Sequence, residues 1–553
     1  MWSYSGRHCT NLNLRFSPFT NRPSTLKALL ACINISDMMH PQSELRRMTR
    51  RVVRSYILRS GILVLMVTML VSSVTFVGGA TAEEVSLTDL ANFIDLATSY
   101  LVRVSHTKEQ DPSSEGKFTY IAYLGEDLPQ DFTARKQNEY NLLRHNGAIY
   151  SLSLSFARKK DDEVLAAMQR SVGYLKREAI SPVPDVSKTD ISDDEKMGDV
   201  PIIPNLLAAW ETKAITGDSD DSVKAKLGGA GLALIALVSL EEITPGVSDL
   251  SYLRQIGEFI KFLQREDGSF TCRYIPTEGG KEDDWTSLYY PGEAALGLVY
   301  LATIETDESY RQRWITVATK ALMYLESLRR TQDLSDIEPD HWALLSTQRL
   351  LPLLDKTSKE YWLVYDHGVR VVKSMLAGHS KKELSDENKG CFTGDERTCP
   401  TATRLEGLTA SLSFVRDSEM FVSDYEDKAE KLVDRMRHDI RLGVQFLIDS
   451  QETDDSHNMH GGVPVKFPAE NHHSREVRVD YVQHSMSAMI AYEKLLQSEK
   501  PRKRLGFGVS MPDKSKVLEE GFPSWYLLFV VAIALTGVVV FSSKKKKKAN
   551  KNV

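Results

Sequence analysis

Long apolar stretches recur between residues 140 and 500, and each begins with polar or glycine residues. A surface helix keeps a polar stripe along its length, whereas these stretches are apolar all round, which is typical of helices buried on every side. The sequence therefore predicts six buried helices whose polar heads open onto one cavity. They are NLLRHNGAIYSLSLSF from Asn141, LGGAGLALIALVSL from Leu227, LYYPGEAALGLVYLA from Leu288, PDHWALLSTQRLL from Pro339, ATRLEGLTASLSFV from Ala402 and VDYVQHSMSAMIAYEKLL from Val479.

Most of these stretches are followed by an amphipathic segment, in which apolar residues recur at spacings of three and four, as in Leu253, Ile256, Ile260 and Leu263. Such a helix buries one face and exposes the other. The predicted amphipathic helices are 162–177, 251–264, 310–329, 361–376 and 429–450. Strand signals are few and are confined to 118–122, 269–275 and 462–465.

The repeating unit is thus an inner buried helix followed by an outer half-buried one, and such units bury their faces only against neighbours. Six inner helices but only five following outer helices are predicted, so one partner is missing. The segment Leu87–Leu101 is helical in pattern and has no inner helix of its own. We expect it to pack beside the last inner helix and close the ring. The predicted fold is therefore an all-α (α/α)6 toroid of six helical hairpins, and the uneven repeat length suits a closed ring better than an open solenoid.

Both ends of the chain carry a membrane-targeting pattern. Arginines between Arg46 and Arg59 precede an apolar run, 61–77, and the small residues Ala80–Ala82 fit a signal-peptidase site. An uncleaved anchor is the alternative interpretation. Near the other end, 525–541 would form a helix of about 25 Å, just long enough to span a bilayer. A buried core helix is the alternative there, but the lysines that follow favour a cytoplasmic tail.

These patterns predict a single-pass protein of the cell membrane with its main domain outside the cytoplasm. The net charge of −6 gives no indication of nucleic-acid binding. The expected organisation is an extension and signal peptide at 1–82, the toroid domain at 83–500, a linker at 501–524, a transmembrane helix at 525–541 and a basic tail at 542–553.

Cys391 and Cys399 flank a short polar loop, CFTGDERTC. In an oxidising compartment such a pair is expected to form a disulfide. Neither cysteine has another cysteine or a histidine at metal-ligand spacing, so a zinc site is not expected. We predict that the protein uses no metal and no other cofactor.

The segments LLRHNGAIY, YYPGEAALGL, DHW, RLEGL and VDYVQHS, placed on such hairpins, resemble the six-hairpin (α/α)6 barrels. These include glycoside hydrolases, polysaccharide lyases and N-acylglucosamine 2-epimerase-like enzymes. The resemblance covers about residues 86–497 and is architectural, since no single enzyme family matches residue by residue. It implies a carbohydrate-active enzyme of the hydrolase, lyase or epimerase kind that acts on a carbohydrate or another polar small molecule in the toroid pocket.

The polar heads of the inner helices supply the candidate site residues. Inner helices of a toroid run parallel, so their starts share one face, where free N–H groups favour anionic and hydroxyl-rich ligands. The catalytic candidates are Glu293, Asp340, His341, Glu406 and Asp480. The substrate-binding candidates are Arg144, His145, Tyr290, Trp342, Arg404, Tyr481 and His484, and Tyr289 and Arg478 lie at the same heads.

These residue types leave the reaction open. Glycoside hydrolysis needs two carboxylates, about 5 Å apart for retention and about 6.5–9.5 Å apart for inversion. Epimerisation or elimination instead needs a base beside an acidified C–H group. The available bases are His145, His341, His484 and Tyr290, with Arg144 or Arg404 to hold an acid.

Several candidates also have a purely structural interpretation. Asp340 could cap the helix that follows it, Glu293 and Glu406 could form buried ion pairs, and His484 could be a satisfied core histidine. The glycine-rich head at Leu227 would leave room either for substrate or for close backbone packing.

Two other functional classes remain open. One is a non-catalytic cell-surface protein that binds glycans or scaffolds a complex. The other is a toroid cyclase of the terpene-cyclase type, to which the D-x-D-D sequence at Asp218–Asp221 would correspond. That sequence lies in a polar loop without aromatic neighbours, which is more typical of a solvated turn.

Overall fold

A computed structural model describes residues 85–126, 140–187, 201–216, 223–379, 389–416, 423–456 and 458–498. The expected signal segment, linker, transmembrane helix and basic tail lie outside these residues, as does Asp218–Asp221. Within the described ranges, no helix is both long and apolar enough to cross a membrane.

Helices and short strands alternate irregularly along the chain. In order, the elements are α1 Leu87–Arg103, β1 Ile121–Tyr123, α2 Leu142–Arg158, α3 Asp162–Tyr174, β2 Ile180–Pro184, β3 Ile202–Glu211, α4 Lys213–Thr216, β4 Lys224–Lys226, α5 Leu227–Ile243, α6 Leu250–Leu263, β5 Arg273–Ile275, β6 Gly280–Glu282, α7 Tyr290–Ile304, α8 Glu308–Arg329, α9 His341–Leu350, α10 Lys359–His379, α11 Thr398–Arg416, α12 Ser423–Ser450, β7 Glu476–Arg478 and α13 Val479–Ser498.

Among these elements, α2, α5, α7, α9, α11 and α13 form an inner ring. Each packs against the next, and α13 packs against α2, so the ring is closed. Helix α5 illustrates why these segments lie inside, because every residue from Leu227 to Leu240 is buried. Apolar side chains on all faces let each inner helix pack against its neighbours in the ring and against the outer layer, and their burial stabilises the ring. The six predicted inner helices are therefore confirmed.

The outer layer consists of α1, α3, α6, α8, α10 and α12. Each packs on an inner helix, and α6 does so through Leu253, Ile256, Ile260 and Leu263, all buried. Helix α1 packs on α13 and also contacts α2. The hydroxyl of Thr98 lies 2.8 Å from that of Ser155 and donates to Met486 at 3.2 Å. The first helix is thus the sixth outer member, as predicted, and the architecture is an (α/α)6 toroid.

The prediction of an all-α fold needs one correction. The described residues also form a five-stranded antiparallel sheet in the order β2-β3-β4-β5-β6, and β3 packs against α6. Only its β5 lies within a predicted strand. Pro182 cannot donate a ladder hydrogen bond, and β2 accordingly lies at an edge of the sheet. This sheet leads directly into two inner helices, since β4 is continuous with α5 and β6 precedes α7.

A second small sheet supports the last inner helix. Strands β1 and β7 pair antiparallel, with Ile121 opposite Arg478. The backbone N–H of Val479 donates to the carbonyl of Tyr120 at 3.2 Å. The pairing fixes where α13 begins, and with it the position of the polar residues at its head.

The expected Cys391–Cys399 disulfide is not formed, and both cysteines are free thiols. The buried thiol of Cys391 donates to the carbonyl of Thr393 at 3.2 Å and lies 3.4 Å from the hydroxyl of Thr401. Cys399 instead lies on the first turn of α11 and lines a cavity between the inner helices. The two side chains therefore lie in different surroundings, and the prediction of a disulfide between them is corrected.

Candidate functional site

A cavity of about 320 Å³ lies at the starts of the inner helices. All six inner helices contribute to its wall, as the polar heads predicted. Its lining residues are Asn141, Leu143, Arg144, Leu232, Tyr289, Tyr290, Glu293, His341, Trp342, Cys399, Pro400, Thr403, Arg404, Asp480, Gln483 and His484. We refer to it as the head cavity.

Asp480, in the first turn of α13, is held between two arginines. Nε of Arg144 lies 3.0 Å from one carboxylate oxygen, and Nε of Arg478 lies 2.6 Å from the other. Burial would raise the pKa of Asp480, but the two guanidinium charges outweigh it and lower the pKa to about 2. The carboxylate is therefore ionised at any physiological pH, and its negative charge is shared by two cations.

One turn deeper, Glu406 and His484 form a buried pair. Nδ1 of His484 lies 2.7 Å from Oε2 of Glu406, and the hydroxyl of Ser487 donates to Oε1. Burial alone would lower the pKa of His484, but the Glu406 charge and this hydrogen bond outweigh it and raise the pKa above its ordinary value. A carboxylate bound to one ring nitrogen fixes the orientation of the imidazole, as acid–base catalysis requires.

His341 faces the same pair from the head of α9. Its ring centroid lies 5.2 Å from that of His484, and its Nε2 lies 3.7 Å from Oε2 of Glu406. Within the described part of the chain this buried Nε2 has no hydrogen-bond partner. Burial, together with the positive charges of His484 and Arg404, holds the pKa of His341 well below its ordinary range. The imidazole is therefore neutral and can accept a proton.

Glu293 lies in the first turn of α7 and is 3% exposed. Burial and the nearby charge of Asp340 raise its pKa to about 8, against a smaller opposing effect of Lys226. Its Oε2 lacks a hydrogen-bond partner among the residues described. At neutral pH this carboxyl group is consequently protonated, the state in which it can donate a proton.

The glycine-rich head of α5 makes room for Glu293. A Cβ atom on Gly228 would overlap Oε2 of Glu293 and the ring of Tyr290, and one on Gly231 would overlap the backbone of Glu293. Of the two interpretations of this head, close packing is the one observed. The glycines bring α5 and α7 together and place Glu293 at the cavity wall.

Arg404 projects from the second turn of α11 and is half-buried. Its guanidinium donates to the carbonyl of Pro400 at 2.8 Å. It makes no ion pair with any residue in the described ranges, and burial lowers its pKa below the usual value. An arginine stays charged under these conditions, so this cation faces the head cavity with no carboxylate of the described residues paired to it.

Aromatic rings complete the wall. The Tyr289 ring lies edge-on to His341 with centroids 5.4 Å apart, and Trp342 lies 5.9 Å from His484. Tyr290 is supported from behind by Trp285, with centroids 5.4 Å apart. Rings of this kind provide faces on which sugars can stack, while excluding water from the polar groups.

Four predicted site residues do not line the head cavity. Glu406 lies beneath it, where its carboxylate is bound to His484 and lies 3.7 Å from Nε2 of His341. Asp340 is fully buried, pairs with Arg329 at 2.9 Å and accepts from the N–H of Ala343, which makes it a structural N-cap. The other two, His145 and Tyr481, also face away.

His145 is a satisfied core histidine. Its Nδ1 lies 2.7 Å from the hydroxyl of Tyr140, its Nε2 lies 3.1 Å from the carbonyl of Ser171, and burial lowers its pKa to about 4. The hydroxyl of Tyr481 donates to Glu476 at 2.9 Å, outside the cavity wall. The substrate-binding role expected for these two residues is therefore corrected.

The sequence-based prediction missed Gln483. This buried amide lines the head cavity beside His484, and its Oε1 has no partner in the described structure. It follows Asp480 by three residues, so both lie on one face of α13. That spacing was the available signal.

His341, Glu406 and His484 could together hold a metal ion. One ligand atom from each lies within 4.8 Å of the others. Two imidazoles and a carboxylate suit Zn²⁺ and similar cations. The pair formed by Glu406 and His484 shows that the same atoms are also satisfied by a hydrogen bond. The absence of a metal requirement stays a prediction.

A second cavity of about 380 Å³ lies further along the inner helices. It is bounded by residues beyond the helix heads, including Tyr150, Arg349 and Lys494, and it reaches Glu406 and Ser487. Glu406 therefore separates two spaces, with Oε2 directed to His484 and Oε1 to Ser487.

Comparisons with known proteins find several solved structures, all of carbohydrate enzymes in the examples below, to which this chain is similar at very low identity. A sugar epimerase from a ruminal bacterium is 11% identical with a TM-score of 0.47, over 73% of this chain and 98% of that chain. Cellobiose 2-epimerase from Bacillus thermoamylovorans is 10% identical with a TM-score of 0.47, over 74% of this chain and 99% of that chain. The GH76A α-1,6-mannanase from Salegentibacter is 12% identical with a TM-score of 0.44, over 74% of this chain and 99% of that chain. No family model matches the chain, and no curated protein matches its sequence. The closed ring of hairpins itself defines the fold class.

Proposed function

We propose that this protein is a carbohydrate-active enzyme that moves a proton at a carbon of a sugar, as epimerases and lyases do. The observation that carries the proposal is that one small cavity holds a protonated carboxyl group and a neutral imidazole whose Nε2 has no hydrogen-bond partner among the described residues. His341 would act as the base and Glu293 as the acid. Groups whose pKa values are pushed apart by their surroundings are typical of acid–base catalysts.

The pair formed by His484 and Glu406 would complete this machinery. The carboxylate holds the imidazole in one orientation at the floor of the cavity, 5.2 Å from His341 between ring centroids. His484 can then bind a sugar hydroxyl or exchange a proton with His341. Trp342 and Tyr289 would position the sugar ring by stacking.

Glycoside hydrolysis, the alternative chemistry, is less well supported. It needs two carboxyl groups free to act on either side of a glycosidic bond. Asp480 is shared by two arginines, Asp340 by Arg329, and Glu406 is bound by His484. Glu293 is the one predicted catalytic carboxyl that these pairs leave unoccupied.

Solvent deuterium exchange tests the proposal directly. Purified protein would be incubated in D₂O with neutral and acidic mono- and oligosaccharides, and NMR would record loss of a C–H signal and appearance of an epimer or unsaturated product. We expect exchange with wild type and a loss of at least about 100-fold in His341→Ala and Glu293→Gln. His472→Ala, which changes an exposed histidine outside the cavity, is the matched control. Hydrolysis without exchange, or binding without either reaction, would overturn the proposal in favour of a glycosidase or a glycan-binding protein.

We further propose that the enzyme acts at the cell surface, anchored by the apolar run at 525–541 with the toroid outside the cytoplasm. The support is the arrangement of apolar and charged residues at the two ends of the sequence. Protease protection of the full chain in intact cells tests it: a toroid accessible to external protease is expected, and a protected one would contradict it.

A further inference from the structure

The head cavity carries an excess of positive charge. At neutral pH its wall contains the cations Arg144 and Arg404 and the anion Asp480, while His484 is paired with the carboxylate of Glu406 beneath it. Glu293 lies in the same wall, and burial raises its pKa to about 8, so it adds no negative charge at neutral pH. The carboxylate of Asp480 also pairs with Arg478. Its single negative charge is therefore divided between two arginines and does not fully neutralise Arg144.

Arg404 makes no ion pair with a carboxylate of the described residues, and Asp395 acts on it only from a distance. Its one described hydrogen bond is to a backbone carbonyl, that of Pro400, which leaves most of its N–H donors directed elsewhere. A partly desolvated guanidinium without an anion is costly unless a ligand supplies one. Arg144 differs, since Asp480 already occupies it at 3.0 Å.

We propose that the substrate is an acidic sugar, and that Arg404 binds its carboxylate. A guanidinium fork matches the two oxygens of a carboxylate, which explains arginine rather than lysine at this position. The volume of about 320 Å³ suits one sugar residue or two. The inference deepens the proposed function and rests on it only for the reaction, since binding of the acid can be measured without turnover.

A carboxylate beside the reacting carbon also accounts for the proton chemistry. When Arg404 neutralises the carboxylate, the adjacent C–H bond becomes more acidic. That bond breaks, its proton passes to His341, and its electron pair moves into the carboxylate to give an enediolate. Return of a proton from Glu293 to the same carbon gives the epimer. If instead the C–O bond on the neighbouring carbon breaks, the electron pair of the enediolate forms the C=C bond. The departing oxygen then takes the proton of Glu293 and leaves as an alcohol, which gives an unsaturated sugar. The ionised Glu293 and protonated His341 then exchange protons with water, so charges and protons balance.

Isothermal titration of the purified protein separates the possible ligands. The probes are glucuronate, galacturonate, glucose and glucose 6-phosphate, with matched oligosaccharides. We expect at least one uronate to bind about tenfold or more tightly than glucose, corresponding to one charge-assisted contact. Arg404→Met should remove this preference for uronates over glucose, and Arg404→Lys should restore the preference in part.

Arg330→Met is the control, because that arginine is exposed, lies outside the head cavity and pairs with Glu326. Circular dichroism confirms that each variant is folded. Equal binding of glucose and uronates, preference for the phosphate, or retention of the preference in Arg404→Met would overturn the inference. Uronate binding without deuterium exchange would uphold it while contradicting the proposed function. Exchange on neutral sugars alone would do the reverse.

Discussion

Nδ1 of His484 lies 2.7 Å from Oε2 of Glu406, so a buried carboxylate fixes one imidazole at the floor of the head cavity. Both groups come from inner helices that neighbour each other in the ring, α11 and α13. The orientation of the imidazole depends on the negative charge of the Glu406 carboxylate and not only on the shape of that side chain.

Replacing Glu406 by Gln is therefore expected to lower kcat by roughly 100-fold with little change in KM. An amide keeps the volume but removes the charge that stabilises protonated His484. Steady-state kinetics would measure the two constants, with Ser487→Ala as a milder comparison that retains the carboxylate. A change confined to KM would contradict the orienting role.

Activity should fall as pH rises through about 8, because Glu293 must be protonated to donate. The group also affects stability. Its pKa is 4.5 when unperturbed and about 8 when folded, so its favourable contribution is complete below 4.5 and is lost as pH rises toward 8. Glu293→Gln should thus be inactive yet more stable than wild type by about 2–3 kcal/mol at pH 8, and the difference should shrink toward pH 4. Urea unfolding at several pH values measures it, and a constant difference would exclude this explanation.

Asp480→Asn should destabilise the protein by about 3–5 kcal/mol at pH 7, since it leaves Arg144 and Arg478 without their carboxylate. The pKa of Asp480 is depressed on folding, so its contribution is present above 3.8 and is lost as pH falls through about 2. Denaturant unfolding at pH 7 should show the full loss. Asp395→Asn, in an exposed pair, should cost about 0.5 kcal/mol or less. Similar losses in the two variants would argue against a role for burial.

Gly228→Ala should destabilise the fold by about 1–3 kcal/mol and reduce activity, because the added methyl group would displace Glu293 and Tyr290. Gly173 in α3 is the matched control, since a Cβ there meets nothing within 4 Å. Gly173→Ala should stabilise by about 0.5–1 kcal/mol through the loss of unfolded-chain entropy. Thermal unfolding compares them, and equal shifts would show that the α5–α7 approach is not tight in solution.

Chelation should leave the reaction unaffected, and added Zn²⁺ should inhibit it reversibly. Zn²⁺ would take the free nitrogen of His341 and break the pair formed by His484 and Glu406. Mg²⁺, which prefers oxygen ligands, is the control cation and should have no effect. Enzyme that is inactive after EDTA treatment and recovers with metal would establish a metal requirement instead.

The ring could be predicted because it follows from periodicity and counting. Apolar-all-round segments alternate with amphipathic ones, and the surplus helix Leu87–Arg103 had one free place to occupy. The five-stranded sheet could not be predicted in the same way. Three of its strands have only three residues each, and some partners lie far apart in sequence, as with Ala225 and Tyr274. Pairing of that kind depends on tertiary context.

The candidate site was predictable to the turn but not to the residue. Successive helical residues are rotated by about 100°, so neighbours at one head face different surroundings. Arg144 lines the cavity while His145 next to it enters the core, and His341 reaches the cavity while Asp340 before it caps the helix. Glu406 shows the same effect in depth, because it lies half a turn beyond Arg404 and beneath the cavity. Only the packing of the ring determines which side of each helix faces the cavity and which side faces the core.

The ion pair between Arg144 and Asp480 joins the first inner helix to the last. During synthesis, Arg144 is present long before the head of α13 exists, so a growing chain carries part of the cavity wall without its anion, its amide or His484. Activity at this site therefore requires that the complete ring of inner helices has assembled. A protein arrested one hairpin short would retain much of its hydrophobic interior and yet have no place for a sugar to react.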